Sequence, residues 1–197
     1  MAILTIQQRL NALPTALKDP RLLNNRGIGN EIGFYVFDYD PEHEPLVQKH
    51  LPTLRSKLEG QPQALTVVEI NLYQTVLDIL NSRGFLQKAF DLEAKSGSAK
   101  LAKSIKPIVR PEQVIEYVQG RLSGHEDIIL ITGVGASWPI LRSHTVLNNL
   151  HPVLDKVPVV MFFPGSYDGH ELKLFNILKD DNYYRAFPLI PRQEQIA

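Results

Sequence analysis

The stretch "DIILITGVGASWP", residues Asp127 to Pro139, indicates the fold class more directly than any other part of this 197-residue chain. The apolar run from Ile128 to Ile131 ends at Thr132 and a glycine turn, Gly133-Val134-Gly135. A continuous apolar run of this length predicts a strand that is buried on both faces, as in a parallel sheet covered by helices. A strand followed by a glycine turn and a helix also resembles a phosphate-binding loop, so the stretch raises the question of a nucleotide site.

The residues after the turn do not complete a known phosphate-binding motif. A Walker A loop beginning at Gly133 requires glycine and lysine where the chain has Trp138 and Pro139, and a loop beginning at Gly135 requires them at Ile140 and Leu141. The dinucleotide motif G-x-G-x-x-G also lacks its third glycine, because Trp138 stands there. We therefore interpret the turn as a structural feature or a protein contact, with a nucleotide or nucleic-acid sensor as a remaining alternative.

Further strands and helices alternate on both sides of this stretch. Apolar and β-branched runs predict strands over 34–40, 64–73 and 157–165, with a fifth strand in 183–191, and helical spacing predicts helices between most of them. We expect an N-terminal helix over 3–17 that is interrupted near Pro14, and a helix in "GHELKLFNILKD", residues 169–180. The pattern predicts a three-layer α/β fold with a predominantly parallel sheet, Rossmann-like or degenerate RecA-like, without a Walker A loop.

Composition limits the function classes. Lysine plus arginine equals aspartate plus glutamate at 21 each, so no net charge attracts nucleic acid or an anionic membrane. The absence of cysteine excludes disulfides and thiol catalysis. No signal peptide or membrane-spanning run is evident. We expect a cytoplasmic protein with a single domain over 1–197, comprising an N-terminal helix and loop over 1–30 and a polar tail over 192–197.

Two aspartates at the end of the first predicted strand provide the best enzymatic alternative. Asp38-x-Asp40 in "VFDYDP" resembles the first motif of haloacid dehalogenase-like phosphatases, in which one aspartate is the nucleophile and the other an acid or base beside magnesium. In that hypothesis Thr132 binds phosphate, Lys156 stabilises charge, and Asp180 and Asp181 complete the metal site. Pro41 and Glu42 depart from the motif, and the competing interpretation is that both aspartates end a strand and cap the next helix.

Other catalytic signatures are incomplete. The chain has no G-x-S-x-G nucleophile elbow and no H-x-x-x-H histidine pair. We therefore predict no catalytic, cofactor-binding or metal-binding residues and no cofactor. Two segments rich in aromatic residues, 162–175 and 180–191, have the composition of protein interfaces, although the same residues could fill a core.

Five segments taken in order resemble the BrxB family, a small component of the bacteriophage exclusion (BREX) defence systems of bacteria and archaea. They are "FYVFDYDPEHE", "EINLYQTVLDIL", "ILITGVGASWPILRSHTVLNNL", "DKVPVVMFFPGSYDGHELKLF" and "DDNYYRAF". The resemblance spans roughly residues 34–191.

The resemblance implies an antiviral system that restricts phage beside a DNA methyltransferase. It implies an adaptor between an alkaline-phosphatase-like PglZ protein and a BrxC-like AAA-type ATPase, and it supplies no catalytic residues. We therefore expect a non-enzymatic protein-interaction component that does not contact membranes and does not bind nucleic acid by itself. The alternatives are a magnesium-dependent phosphoryl hydrolase using Asp38 and Asp40, or the sensor described above.

Overall fold

The fold is built on a parallel β-sheet with helices on both faces. A computed structural model of the chain describes residues 3–24, 33–150, 154, 157–179 and 186–193. Within these residues seven strands form, and the five strands of the main path pair in parallel in the order β2-β3-β4-β1-β7. The strands are β1 (Phe34–Tyr39), β2 (Val67–Asn71), β3 (Ile128–Thr132), β4 (Val159–Tyr167), β5 (Leu172–Leu174), β6 (Leu178–Lys179) and β7 (Phe187–Pro188).

Helices occupy most of the segments between these strands. They are α1 (Ile6–Leu17), α2 (Pro20–Leu23), α3 (Glu44–Glu59), α4 (Leu72–Ser82), α5 (Leu86–Ser96), α6 (Ser98–Ile105), α7 (Pro111–Gln119), α8 (Val134–Ser137) and α9 (Ser143–Leu150), and a 3₁₀ turn over Pro41–His43 precedes α3. None of the described helices is both long enough and apolar enough to cross a membrane.

The sheet separates two hydrophobic cores. Side chains alternate across a strand, so Phe37 and Tyr39 of β1 face one core while Phe34 and Val36 face the other. The first core contains α1 and α3, and the second contains apolar residues of α4 to α9 and the β5–β6 hairpin. This arrangement confirms the predicted three-layer α/β fold.

Most sequence-based predictions of the elements are confirmed, and two are wrong. The helix predicted over 169–180 is instead an antiparallel extension of β4 by β5 and β6, because Leu172 and Leu174 alternate into the core and the chain turns at Phe175 and Asn176. The helix α1 is continuous through Pro14. Burial of leucines on both sides of Pro14 offsets the hydrogen bond that proline removes.

The carboxyl ends of β1 and β4 mark the place where open α/β sheets usually bind ligands. The chain leaves β1 towards the face that carries α3, and it leaves β4 towards the opposite face, where Tyr167 and Leu172 are buried. Because β1 and β4 are neighbours, their carboxyl ends flank the crevice created by this change of direction. The aspartates singled out in the sequence, Asp38 and Asp40, lie at this edge.

Candidate functional site

The glycine turn after β3 is packed against the start of a neighbouring helix. Gly133 has a positive φ of 68°, which favours glycine, and a side chain there would overlap the amide oxygen of Asn71. That oxygen caps α4 by accepting a 3.1 Å hydrogen bond from the backbone N–H of Gln74. The first glycine thus lets two adjacent strand ends approach each other closely.

The second glycine of the turn makes room for an aromatic ring. A Cβ at Gly135 would lie 2.9 Å from the ring of Phe175 and 3.0 Å from Pro164. Phe175 in turn meets Trp138 edge to face, with ring centroids 6.5 Å apart. Both glycines therefore have packing roles, in agreement with the structural interpretation of the turn.

Thr132 is already engaged beside this turn. Its hydroxyl donates a 2.6 Å hydrogen bond to the carboxylate of Glu69 on the adjacent strand β2. A carboxylate at this distance would repel a phosphate bound to the same hydroxyl. The arrangement weighs against Thr132 as the phosphate ligand of the phosphatase hypothesis.

An apolar groove opens beside the glycine turn. It has a volume of about 220 Å³ and is lined by residues of α4, α5, α6 and α8 together with Trp138, Pro139 and Ile140. Three of its aromatic side chains are about half exposed: Tyr73 at 43 %, Phe90 at 47 % and Trp138 at 42 %. Ile177, in the turn between β5 and β6, is 79 % exposed and lies two residues beyond Phe175. Large exposed apolar side chains next to a concave surface are typical of a protein interaction site.

Asp38 lies in a buried cluster of charges at the end of β1. It is 5 % exposed, and its Oδ1 atom forms an ion pair with Arg9 of α1, in which Nη2 of Arg9 lies 2.9 Å from Oδ1. Arg9 also donates to the backbone carbonyls of Asp38 at 2.6 Å and of Ile190 at 2.7 Å, and its guanidinium lies 4.7 Å from the ring centroid of Phe37. Burial lowers the pKa of Arg9, while Asp38 acts in the opposite direction.

Arg192 closes the outer side of the same cluster. Its guanidinium binds Asp38 Oδ2 and Asp40 Oδ1, each at 2.8 Å, and donates to the carbonyl of Gly165 at 2.7 Å. The hydrogen bond from Arg192 is the main cause that lowers the pKa of Asp40. Burial would lower the pKa of Arg192, but its hydrogen bonds and its attraction to the two aspartates outweigh burial and raise it.

This cluster weighs against the phosphatase hypothesis. Both oxygens of Asp38 are paired with guanidinium groups, and this pairing competes with attack on phosphorus and with magnesium binding. No group of three or more histidines and carboxylates suited to a metal ion occurs among the residues that the structure describes. Lys156, Asp180 and Asp181, the other residues of that hypothesis, lie outside the described residues. The charge network instead links the carboxyl ends of β1 and β4, where Arg192 bonds to Asp38, Asp40 and Gly165.

Sequence analysis did not identify the arginines that pair with Asp38 or the exposed aromatic residues that line the groove. Arg9 and Arg192 are 29 and 154 positions from Asp38, and no spacing rule connects them. Sequence analysis did not single out Tyr73, the last residue of the strand predicted over 64–73, or Phe90. An exposed aromatic on a helix can be recognised only once its neighbours are in place.

Comparison with known proteins gives a consistent family. The sequence profile described as "BREX protein BrxB" matches residues 68–189. A protein of that name from Bacillus cereus (strain H3081.97) is 46 % identical over 191 residues, covering 95 % of this chain and 98 % of the relative. Another from Escherichia coli O9:H4 (strain HS) is 32 % identical over 187 residues, covering 94 % of this chain and 92 % of the relative. No solved structure matches the chain.

Proposed function

This chain belongs to the BrxB family of BREX proteins, and we propose that it acts in a BREX anti-phage system as a non-enzymatic adaptor. As an adaptor it contributes binding surfaces to a larger assembly and carries out no chemistry itself. Phage resistance is then a property of the assembly. The compartment of such an assembly is the cytoplasm.

One observation carries this proposal: the exposed aromatic groove beside the glycine turn. Tyr73, Phe90 and Trp138 leave large apolar areas in water on one face of the chain. Removing such area from water is favourable by about 25 cal/mol per Å², and aromatic side chains next to pockets are frequent anchors of protein interfaces. A partner protein would bury them.

The charge cluster supports the non-enzymatic part of the proposal. In many α/β enzymes the ligand binds at the carboxyl ends of strands such as β1 and β4, whereas here Asp38 and Asp40 at the end of β1 are paired with Arg9 and Arg192. The cluster binds α1, β1 and the C-terminal segment together. We assign the charge cluster a role in the stability of the fold.

For partners we propose a PglZ-like protein and a BrxC-like AAA-type ATPase of the same defence system, linked by this chain. The proposal follows the family resemblance. With no net charge, the chain offers no general attraction for nucleic acid or for an anionic membrane, so we assign it neither as a direct partner.

The experiment is affinity purification of the tagged chain from cells that carry the neighbouring genes, at near-physiological salt, followed by mass spectrometry. We expect the PglZ-like protein and the ATPase to be recovered in amounts comparable to the tagged chain. Recovery of neither would contradict the adaptor role. A broad screen for magnesium-dependent phosphatase activity of the purified chain provides the enzymatic control. Turnover that Asp38→Asn abolishes while the variant remains folded, as its unfolding curve shows, would favour the hydrolase instead.

A further inference from the structure

We infer that the groove between α4, α5 and α6 receives an amphipathic helix of a partner protein, and that this helix carries a lysine or arginine beside its apolar anchor. The inference rests on the proposed adaptor function and specifies its binding site and the chemistry of the partner. It is supported by the size of the groove, by the hydrogen bonds that the backbone groups of its walls already make, and by the carboxylate of Glu93.

The size of the groove selects a side chain over a cofactor. Its volume of about 220 Å³ is below the range of roughly 300–1,000 Å³ in which drug-sized ligands and cofactors bind. One or two large apolar side chains suit such a volume. Its lining is almost entirely aliphatic and aromatic, and Trp138 and Phe90 stand at its exposed rim. An interface anchor inserted from a partner fits this combination.

The walls of the groove select a helix over an extended peptide. Three walls are helices, in which backbone N–H and C=O groups bond to each other along the helix. In the fourth wall the N–H groups of Trp138 and Ile140 bond to the carbonyls of Gly135 and Ser137, and Pro139 has no N–H. An extended peptide would find no ladder of free backbone groups here. A helix satisfies its own backbone and inserts only side chains.

The charge of the groove selects a basic partner. Glu93 is the single ionised side chain among the residues that line it, and it is partly buried. Its Oε1 atom accepts a 2.7 Å hydrogen bond from the hydroxyl of Ser98, which leaves further acceptor capacity on the carboxylate. On a 100° helical wheel, Lys88 and Lys95 lie on the side of α5 opposite to Glu93. A partner helix that covers Glu93 must bring a cation, because an unpaired buried carboxylate is costly.

The test measures the affinity of the purified PglZ-like protein, and separately of the purified ATPase, for the whole chain and for variants with single substitutions. Phe90→Ala and Trp138→Ala each remove one rim anchor, and Glu93→Lys reverses the groove charge. Phe85→Ala is the matched aromatic control, since Phe85 is 39 % exposed at the start of the same helix but does not line the groove. Asp91→Lys is the matched charge control, since Asp91 accepts one side-chain hydrogen bond, as Glu93 does.

We expect the groove variants to weaken binding of one of the two proteins by about tenfold or more, the range of interface anchors. The two controls should change it less than threefold. Unfolding curves of every variant show whether it is folded. If Trp138→Ala is unstable, Phe90→Ala alone tests the contribution of the rim anchors. Unchanged affinity in Phe90→Ala and Glu93→Lys would overturn the inference and leave the adaptor role standing. If the unaltered chain binds neither protein, the adaptor role and the inference both fail.

Discussion

At the scale of single residues, Asp38 shows how a motif-like pair of aspartates serves stability. The carboxylate is buried between Arg9 and Arg192 and is reached by the N–H of Tyr167 at 3.4 Å. Its removal would leave the buried guanidinium of Arg9 without its charge partner. Asp40, by contrast, is about half exposed and pairs only at the rim.

We therefore predict that Asp38→Asn lowers the free energy of unfolding by about 3–5 kcal/mol, the usual result of breaking a buried ion pair from one side. Asp40→Asn is the matched control and should cost about 0–1 kcal/mol, as exposed pairs do. Urea unfolding followed by circular dichroism measures both. An Asp38→Asn chain as stable as the unaltered one would contradict the structural role of the cluster.

The glycine turn provides a second test at this scale. Gly133 and Gly84 have nearly the same φ, 68° and 69°, but a side chain at Gly84 meets open space, whereas one at Gly133 meets the cap of α4. Alanine at either position adopts a strained backbone at a cost of about 1–3 kcal/mol. Gly133→Ala should cost about 1 kcal/mol more than Gly84→Ala, because Asn71 must give up its helix cap.

Thermal or urea unfolding of the two variants side by side measures this difference. Equal losses of stability would mean that Asn71 moves aside freely. The close packing of the turn against α4 would then have no energetic role.

At the scale of elements, α4 and α7 are joined by a hydrogen bond from the hydroxyl of Tyr117 to the carboxylate of Asp78. This bond is the main cause that lowers the pKa of Asp78. A carboxyl group whose pKa is lowered by folding stabilises the folded protein at pH values above the pKa that the group has in the unfolded chain, about 3.9. The stabilisation is lost as pH falls through the lower folded value.

We predict that Tyr117→Phe flattens the decline of stability below about pH 4, because Asp78 then has a pKa nearer to its unfolded value. Urea unfolding at pH 5, 4 and 3 measures this slope. Tyr73→Phe is the control, since the hydroxyl of Tyr73 makes no hydrogen bond to the residues that the structure describes. The same acid slope in Tyr117→Phe and the unaltered chain would contradict the assignment.

Strands β3 and β4 could be predicted because they are buried at nearly every position, and strands of this kind have continuous apolar sequences. Ile128–Thr132 is buried at every position, and the continuous apolar run predicted β3 with its observed bounds. The β5–β6 hairpin could not be predicted, because Leu172, Phe175 and Leu178 also fit a helical stripe. Its turn places Phe175 and Asn176 at positive φ, and asparagine is enriched there but phenylalanine is not.

The candidate site was less accessible to sequence analysis than the fold. The absence of a phosphate-binding motif after Gly133 could be read directly, and Trp138 could be proposed as a packing or contact residue. The groove could not be predicted from the sequence, since it depends on the mutual placement of α4, α5, α6 and the loop that contains Trp138. The charge cluster likewise depends on α1 and the C-terminal segment meeting at β1.

At the scale of the whole molecule, the carboxyl edge of the sheet combines two unlike regions. At the ends of β1 and β4 the chain's own charges pair with one another, while the groove beside β3 leaves aromatic side chains exposed. A mostly parallel α/β sheet with a charge network at the ends of β1 and β4, next to an apolar groove, is consistent with the proposed role of binding other proteins. The central claim is therefore that this chain links two larger BREX components.

Reconstitution with purified proteins tests that claim most directly. The PglZ-like protein and the AAA-type ATPase are mixed with and without this chain at near-physiological salt, and the masses of the complexes are measured by analytical ultracentrifugation. We predict a three-component complex that forms only when the chain is present. Association of the two large proteins to the same extent without the chain, or no association of the chain with either, would contradict the account.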